Sequence, residues 1–215
     1  MARRLPNARS LKRKSSKLSP KLTIYALCEG ENSEPEYLMD FCKIHGNGLV
    51  RVIPAKAQGV PATIVTNSIE KIKKLEKIAR KSNDPLDKEF EVWAIFDCDD
   101  HPLVDESIVR AKQHKIKVGY SNPCFEIWAL LHLDDHRQHL HRHPLQSKLK
   151  TKLSGYDPKA SKSICAYKLN DYYDLAKSRA INLMKEHKSV GSPKANPYTD
   201  IYILLDQIKS NGIKK

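Results

Sequence analysis

The 215-residue sequence predicts an α/β fold. A parallel four-stranded sheet flanked by helices is expected over residues 21–133, with a helical C-terminal extension over 134–215 packed on that core. Three observations predict it. Four short apolar runs alternate with stretches of helical periodicity, the pattern of right-handed βαβ crossovers. The first run, Leu22 to Cys28, is apolar almost without interruption, as a strand buried on both faces should be. Strand signals cease after residue 133, while helical periodicity continues.

Each element follows from local chemistry. Residues 1–20 hold few apolar side chains and end at Pro20, which predicts a disordered basic arm. The first strand ends at Glu29-Gly30. Ser33-Glu34-Pro35-Glu36 reads as a capping box with proline in the first helical turn. Tyr37, Leu38, Phe41 and Ile44 then mark one helix face, and Gly46 stops it. A second strand is expected over 49–55. The helix predicted over 62–81 turns Val65, Ile69, Ile72, Leu75 and Ile78 inward. Lys71, Lys73, Lys74, Lys77 and Arg80 crowd its other side, and Asn83-Asp84-Pro85 breaks it. The third strand, over 90–96, ends at Asp97. A helix over 103–114, a fourth strand over 117–120 and a short apolar helix over 124–133 complete the core. Residues 136–154 read as polar and loop-like with some helix. One long helix over 162–188 and a last one opening at Asn196-Pro197 account for the rest.

Composition narrows the function. Hydrophobic residues make up 40% and charged residues 29%, enough for a core under a densely charged surface. The net charge of +13 is uneven. Eight of the 38 Lys and Arg residues lie in residues 1–21, where there is no acid, so a uniformly basic, histone-like chain is excluded. Within this arm, Arg3, Arg4, Arg9, Lys12, Arg13 and Lys14 are candidates to contact the phosphates of a nucleic acid; a merely solvated tail is the alternative. The five cysteines are odd in number and form no C-x-x-C pair, which excludes a disulfide scaffold and points to a reducing cytoplasm. No apolar stretch approaches the roughly 18–20 residues of a membrane span, so no membrane partner is expected. The basic start lacks the apolar region of a secretory signal, although its Arg- and Ser-rich, acid-free composition also suits an organellar transit peptide.

The acids carry the chemistry. Ligands of open parallel sheets bind beyond the carboxyl ends of the strands, and two strands here end in acids: Glu29 after the first, Asp97-Cys98-Asp99-Asp100 after the third. Asp97 and Asp99, two apart in an extended chain, project to one side, and Glu29 joins them if the two strands are neighbours. Carboxylates this close repel one another unless a proton or a cation intervenes. Oxygen ligands without His or Cys favour Mg²⁺ or Mn²⁺ over Zn²⁺. Asp99 or Asp100 could instead cap the following helix. Asn122-Pro123 reads as the N-cap and first turn of the next helix, whose amides could bind phosphate. Glu126, one turn in, faces the same edge.

Leu27-Cys28-Glu29-Gly30 with Ser33-Glu34-Pro35-Glu36-Tyr37, then Ile95-Phe96-Asp97-Cys98-Asp99-Asp100, then Ser121-Asn122-Pro123-Cys124-Phe125-Glu126-Ile127-Trp128, together resemble the RloB family. The closing Asn196-Pro197-Tyr198-Thr199 adds to the likeness, with Tyr198 where the family more often has Ser. The resemblance covers nearly the whole chain. It implies a TOPRIM-like fold related to the nuclease domains of topoisomerases, primases and overcoming-lysogenization-defect nucleases. It also implies a place beside an ATPase partner in bacterial abortive-infection systems against phage. By this likeness Glu29 is a general acid or base and Asp97 and Asp99 are metal ligands. Asn122 and Glu126 support the site or touch phosphate. The expected catalytic set is Glu29, Asp97 and Asp99. The expected ligands of Mg²⁺ or Mn²⁺ are these three with Asp100 and Glu126. The expected activity is metal-assisted cleavage of DNA or RNA by water.

Two alternatives stay open. One is a module that binds nucleic acid or an ATPase and uses the acids for a structural ion. The other is a haloacid-dehalogenase-type phosphatase with Asp97 as nucleophile, although that motif usually lies on a first strand. The histidines His132, His136, His139, His141 and His143 read as a solvated segment more readily than as a metal site.

Overall fold

The apolar run after Lys21 forms β1 (Leu22–Cys28), an interior strand of the sheet. The computed structural model describes residues 21–57, 59–84, 87–98, 103–160 and 162–213. The basic arm with Arg3, Arg4, Arg9, Lys12, Arg13 and Lys14, and the acids Asp99 and Asp100, lie outside these residues. After β1 come α1 (Ser33–His45), β2 (Val50–Lys56), α2 (Pro61–Lys81), β3 (Phe90–Asp97), α3 (Val104–Gln113), β4 (Lys117–Asn122) and α4 (Glu126–Leu133). The C-terminal part adds α5 (Arg142–Lys152), α6 (Ala166–Leu169), α7 (Tyr173–Ser189), β5 (Tyr198–Thr199) and α8 (Tyr202–Asn211).

The strand order is β2-β1-β3-β4-β5. The first four are parallel, and β5 runs antiparallel to β4. β1 and β3 are neighbours, with Cys28 opposite Ile95, so their acidic ends lie side by side. Both strands are apolar because both faces are covered. Ile24, Ala26, Trp93 and Ile95 join one core with α1, α4, α7 and α8, while Leu27, Val92, Ala94 and Phe96 join a second with α2 and α3.

Several expectations are corrected. The sheet has five strands rather than four, and is mostly rather than wholly parallel. The fifth strand is two residues long, too short for a periodicity, and occupies the position read as the start of the last helix. Asp200 ends it: its N–H donates to the Tyr120 carbonyl at 3.1 Å, and its Oδ1 accepts the Tyr120 N–H at 2.7 Å. The long helix over 162–188 is broken, with a 3-10 turn at Asn170–Tyr172 between α6 and α7. There the Asn170 side chain lies 2.7 Å from His45 on α1, a bond across the fold at the point where the helix breaks.

The capping box does not form. Asn32 is the N-cap of α1 and makes no side-chain cap bond. Ser33 Oγ donates instead to the Lys162 carbonyl at 2.9 Å, and Glu36 Oε2 accepts Ser163 Oγ at 2.5 Å. Nor does Asn122 cap α4, which begins at Glu126. Asn122 closes β4, its Nδ2 donates to the Lys194 carbonyl at 3.0 Å, and its peptide bond to Pro123 is cis.

Trp128 of α4 ties the sheet to the C-terminal helices. Its ring is fully buried, 5.9 Å from that of Tyr173 on α7 and 4.7 Å from that of His132. Replacing so large a buried side chain by alanine removes apolar burial and leaves a cavity. Trp128→Ala should therefore cost about 3–5 kcal/mol of stability, read as a lowered urea midpoint. A loss under about 1 kcal/mol would contradict this placement.

Candidate active site: a buried carboxylate cluster

The carboxyl ends of β1 and β3 open on a cavity of about 210 Å³. Glu29 and Gly30 reach it from β1 and Asp97 from β3. The first turn of α1 adds Ser33 and Glu34, and the start of α4 adds Phe125 and Glu126. Arg142 and Gln146 of α5 and Lys162 close it. Three helices thus begin at the cavity, and the positive ends of α1 and α4 lie beside their own first-turn acids, Glu34 and Glu126.

Each carboxylate has a defined partner. Glu29 Oε2 accepts the N–H of Asp97 at 3.1 Å, which links the two strand ends directly. Asp97, 8% exposed, is paired through Oδ2 with Arg142 Nη2 at 2.9 Å. Glu126, 4% exposed, receives Gln146 Nε2 and the Tyr156 hydroxyl, each at 2.8 Å and both on Oε1. Glu34, 3% exposed, accepts the Gly30 N–H at 3.3 Å. A Cβ at position 30 would stand 2.0 Å from Glu34 Oε2, so this approach requires glycine.

Burial sets the electrostatics. It foremost, with repulsion from Glu34, Glu126 and Glu29, raises the Asp97 carboxyl well above the usual range, against the pull of Arg142. Burial, then repulsion from Glu126 and Glu29, pushes the Glu34 carboxyl up to about 7, although backbone N–H groups, that of Gly30 among them, oppose it.

The predicted residues Glu29, Asp97 and Glu126 therefore meet at one cavity. Asn122 lies at the adjoining cavity instead. Glu34, Arg142, Gln146 and Lys162 were not among the expected site residues. Glu34 carried a usable signal: a first-turn acid in the helix that follows a sheet strand faces the same carboxyl edge. Arg142 carried none, being one basic residue in a basic segment. The lysine-rich side of α2 does not border the site. A crossover helix runs back along its strands, so α2 starts near the carboxyl edge and carries Lys73, Lys77 and Arg80 toward the opposite one. His132 and His136, read as part of a solvated segment, are both buried instead. His132 Nδ1 lies 2.8 Å from the Trp128 carbonyl, and burial lowers its pKa to about 4.

Among the described residues, no group of three or more His, Cys, Asp and Glu is arranged to hold a metal ion. The donor set at the cavity nevertheless suits a hard divalent cation in kind. It consists of carboxylate oxygens, several buried and mutually repelling, of the sort that Mg²⁺ or Mn²⁺ takes.

The family model described as RloB-like protein matches residues 24–208. The chain belongs to the RloB-like family. That match contains every described acid of the cavity and the residues that hold them. No curated protein and no solved structure matches this RloB-like chain. Among the described residues, no helix is long and apolar enough to cross a membrane.

The raised Glu34 carboxyl has a consequence for stability. The ordinary value is 4.5, so between pH 4.5 and about 7 the folded protein binds more protons at this site than the unfolded chain does. Stability should fall as pH rises through that window. In EDTA, Glu34→Gln should remove this part of the decline and be more stable than wild type by about 3 kcal/mol at pH 8, while the two converge near pH 4.5. Urea unfolding at both pH values measures it. A difference that does not change with pH would show that Glu34 is not a buried acid.

Proposed function

We propose that this RloB-like protein is a Mg²⁺- or Mn²⁺-dependent nuclease with a TOPRIM-like core, acting on DNA or RNA in defence against phage. The observation that carries the reading is the meeting of Glu29, Asp97 and Glu126 at one cavity beyond the carboxyl ends of neighbouring parallel strands. The family likeness supports the TOPRIM-like and defence parts, together with an ATPase partner, and the five free cysteines support a cytoplasmic setting.

Asp97 and Glu126 would hold the ion, together with Asp99 and Asp100 of the strand-end motif. A bound divalent ion would polarise the scissile phosphate and acidify a water for in-line attack. Glu29, half-buried, would orient that water and take its proton. Arg142, paired with Asp97, would turn a second edge of its guanidinium to the incoming phosphate. Lys162, exposed at the rim, adds a second positive group. Tyr156 is committed to Glu126, and burial raises its hydroxyl pKa above the usual range, so it is a support for that acid rather than a nucleophile. The basic arm would grip the backbone without reading sequence.

Supercoiled DNA and structured RNA, incubated with the protein and Mg²⁺ or Mn²⁺, with and without an ATPase encoded beside it, provide the test. Wild type should cut at least one substrate, and Asp97→Asn and Glu29→Gln should each slow cutting by about a hundredfold or more. Equal cutting by all three would sink the site assignment. Binding without cutting under every condition would make the protein a binding module.

A further inference from the structure

A second cavity, of about 270 Å³, adjoins the first. Arg142 lines both. Their chemistry is opposite. Among the described residues, four acids line the first, whereas none lines the second, which includes Asn122, His139, His141 and Asn196.

The two histidines are exposed, yet their backbone is fixed. Leu140 between them is clamped twice by Asn196. Its carbonyl accepts Asn196 Nδ2 at 2.8 Å, and its N–H donates to Asn196 Oδ1 at 3.3 Å. The imidazoles are held edge to face, 5.1 Å apart. Across the cavity, Asn122 is fixed by the Lys194 carbonyl. Leu140 packs against the core, whereas the imidazoles on either side of it stay outside. What the clamp holds in place is a pair of ring N–H groups beside a guanidinium.

From this arrangement we propose that the second cavity is a subsite for a backbone phosphate of the nucleic-acid strand. His139, His141 and Arg142 are its donors, and the phosphate lies next to the one engaged at the carboxylate cavity. The subsite rests on the nuclease reading for its role in cleavage, but phosphate binding itself does not. A guanidinium is a planar fork that can hold a carboxylate on one edge and a phosphate on another. Standing between the acids and the strand, Arg142 also screens the phosphate from their charge. The start of α5 at this point, with no acid in its first turn, adds to the positive field. Because these groups meet phosphate and not bases, the subsite anchors the strand without selecting its sequence.

The test is binding in EDTA, where no cutting occurs. Affinity for short single-stranded DNA and RNA of unrelated sequences is measured for wild type, His139→Ala/His141→Ala, and Arg137→Ala. Arg137 lies on the same loop but outside the cavity, paired with Asp135 and Glu186. The histidine variant should bind about tenfold more weakly, equally for all sequences, and Arg137→Ala should bind like wild type. In wild type, the imidazole NMR signals of His139 and His141 should shift on titration with a dinucleotide. Unchanged affinity of the histidine variant, or unmoved imidazole signals, would overturn the subsite even if the protein cuts. Weaker binding by that variant in a protein that never cuts would leave the subsite standing and the nuclease reading refuted.

Discussion

Everything at the functional edge depends on one constraint: Glu29, Glu34, Asp97 and Glu126 share a cavity, and three of them are buried. A charged group taken out of water is costly unless it is paired or hydrogen-bonded. The fold supplies these partners from two sources. Backbone N–H groups of the strand ends serve Glu29 and Glu34. Side chains from the C-terminal part serve the rest: Arg142 for Asp97, and Gln146 with Tyr156 for Glu126. The helices after residue 133 are therefore the counterpart of the acids as well as a cover for the sheet. The bonds from Ser33 and Glu36 to the 162–163 segment fasten that counterpart to the helix carrying Glu34.

The central sheet was legible because its physics is local. β1 and β3 are largely apolar since both faces are covered, and an acid marks the carboxyl end of each run. Glu29 and Asp97 follow from that, and their meeting needed only the adjacency of two strands. What escaped was set by distant contacts. The two residues of β5 hold their place by pairing with β4 and by Asp200 bonding Tyr120, neither of which leaves a period in sequence. The break between α6 and α7 coincides with a bond from Asn170 to His45, 125 positions away.

Glu34 and Arg142 escaped for different reasons. Glu34 fits a capping pattern, and its residue types alone do not say that Ser33 and Glu36 will bond elsewhere. The absence of a Cβ at Gly30 lets the Glu34 carboxylate approach the backbone, while Lys162 and Ser163, far along the chain, engage Ser33 and Glu36. Arg142 sits among residues that look solvated, and most are: His141 and His143 are exposed on either side of it. The net charge of +13 is similarly uninformative about the cavity, where the balance of sign is reversed.

The cluster also imposes an order in time on a growing chain. Its four acids, at positions 29, 34, 97 and 126, all leave the ribosome before Arg142, Gln146, Tyr156 and Lys162. Synthesis proceeds at about 5–20 residues per second, so for some seconds the acids exist without their partners. A chain cut short after α4 would keep every described acid of the cavity and lose the side chains that neutralise or bind them. The carboxylate edge is thus completed from the far end of the polypeptide, and a truncated product carries the acids without the apparatus that holds them.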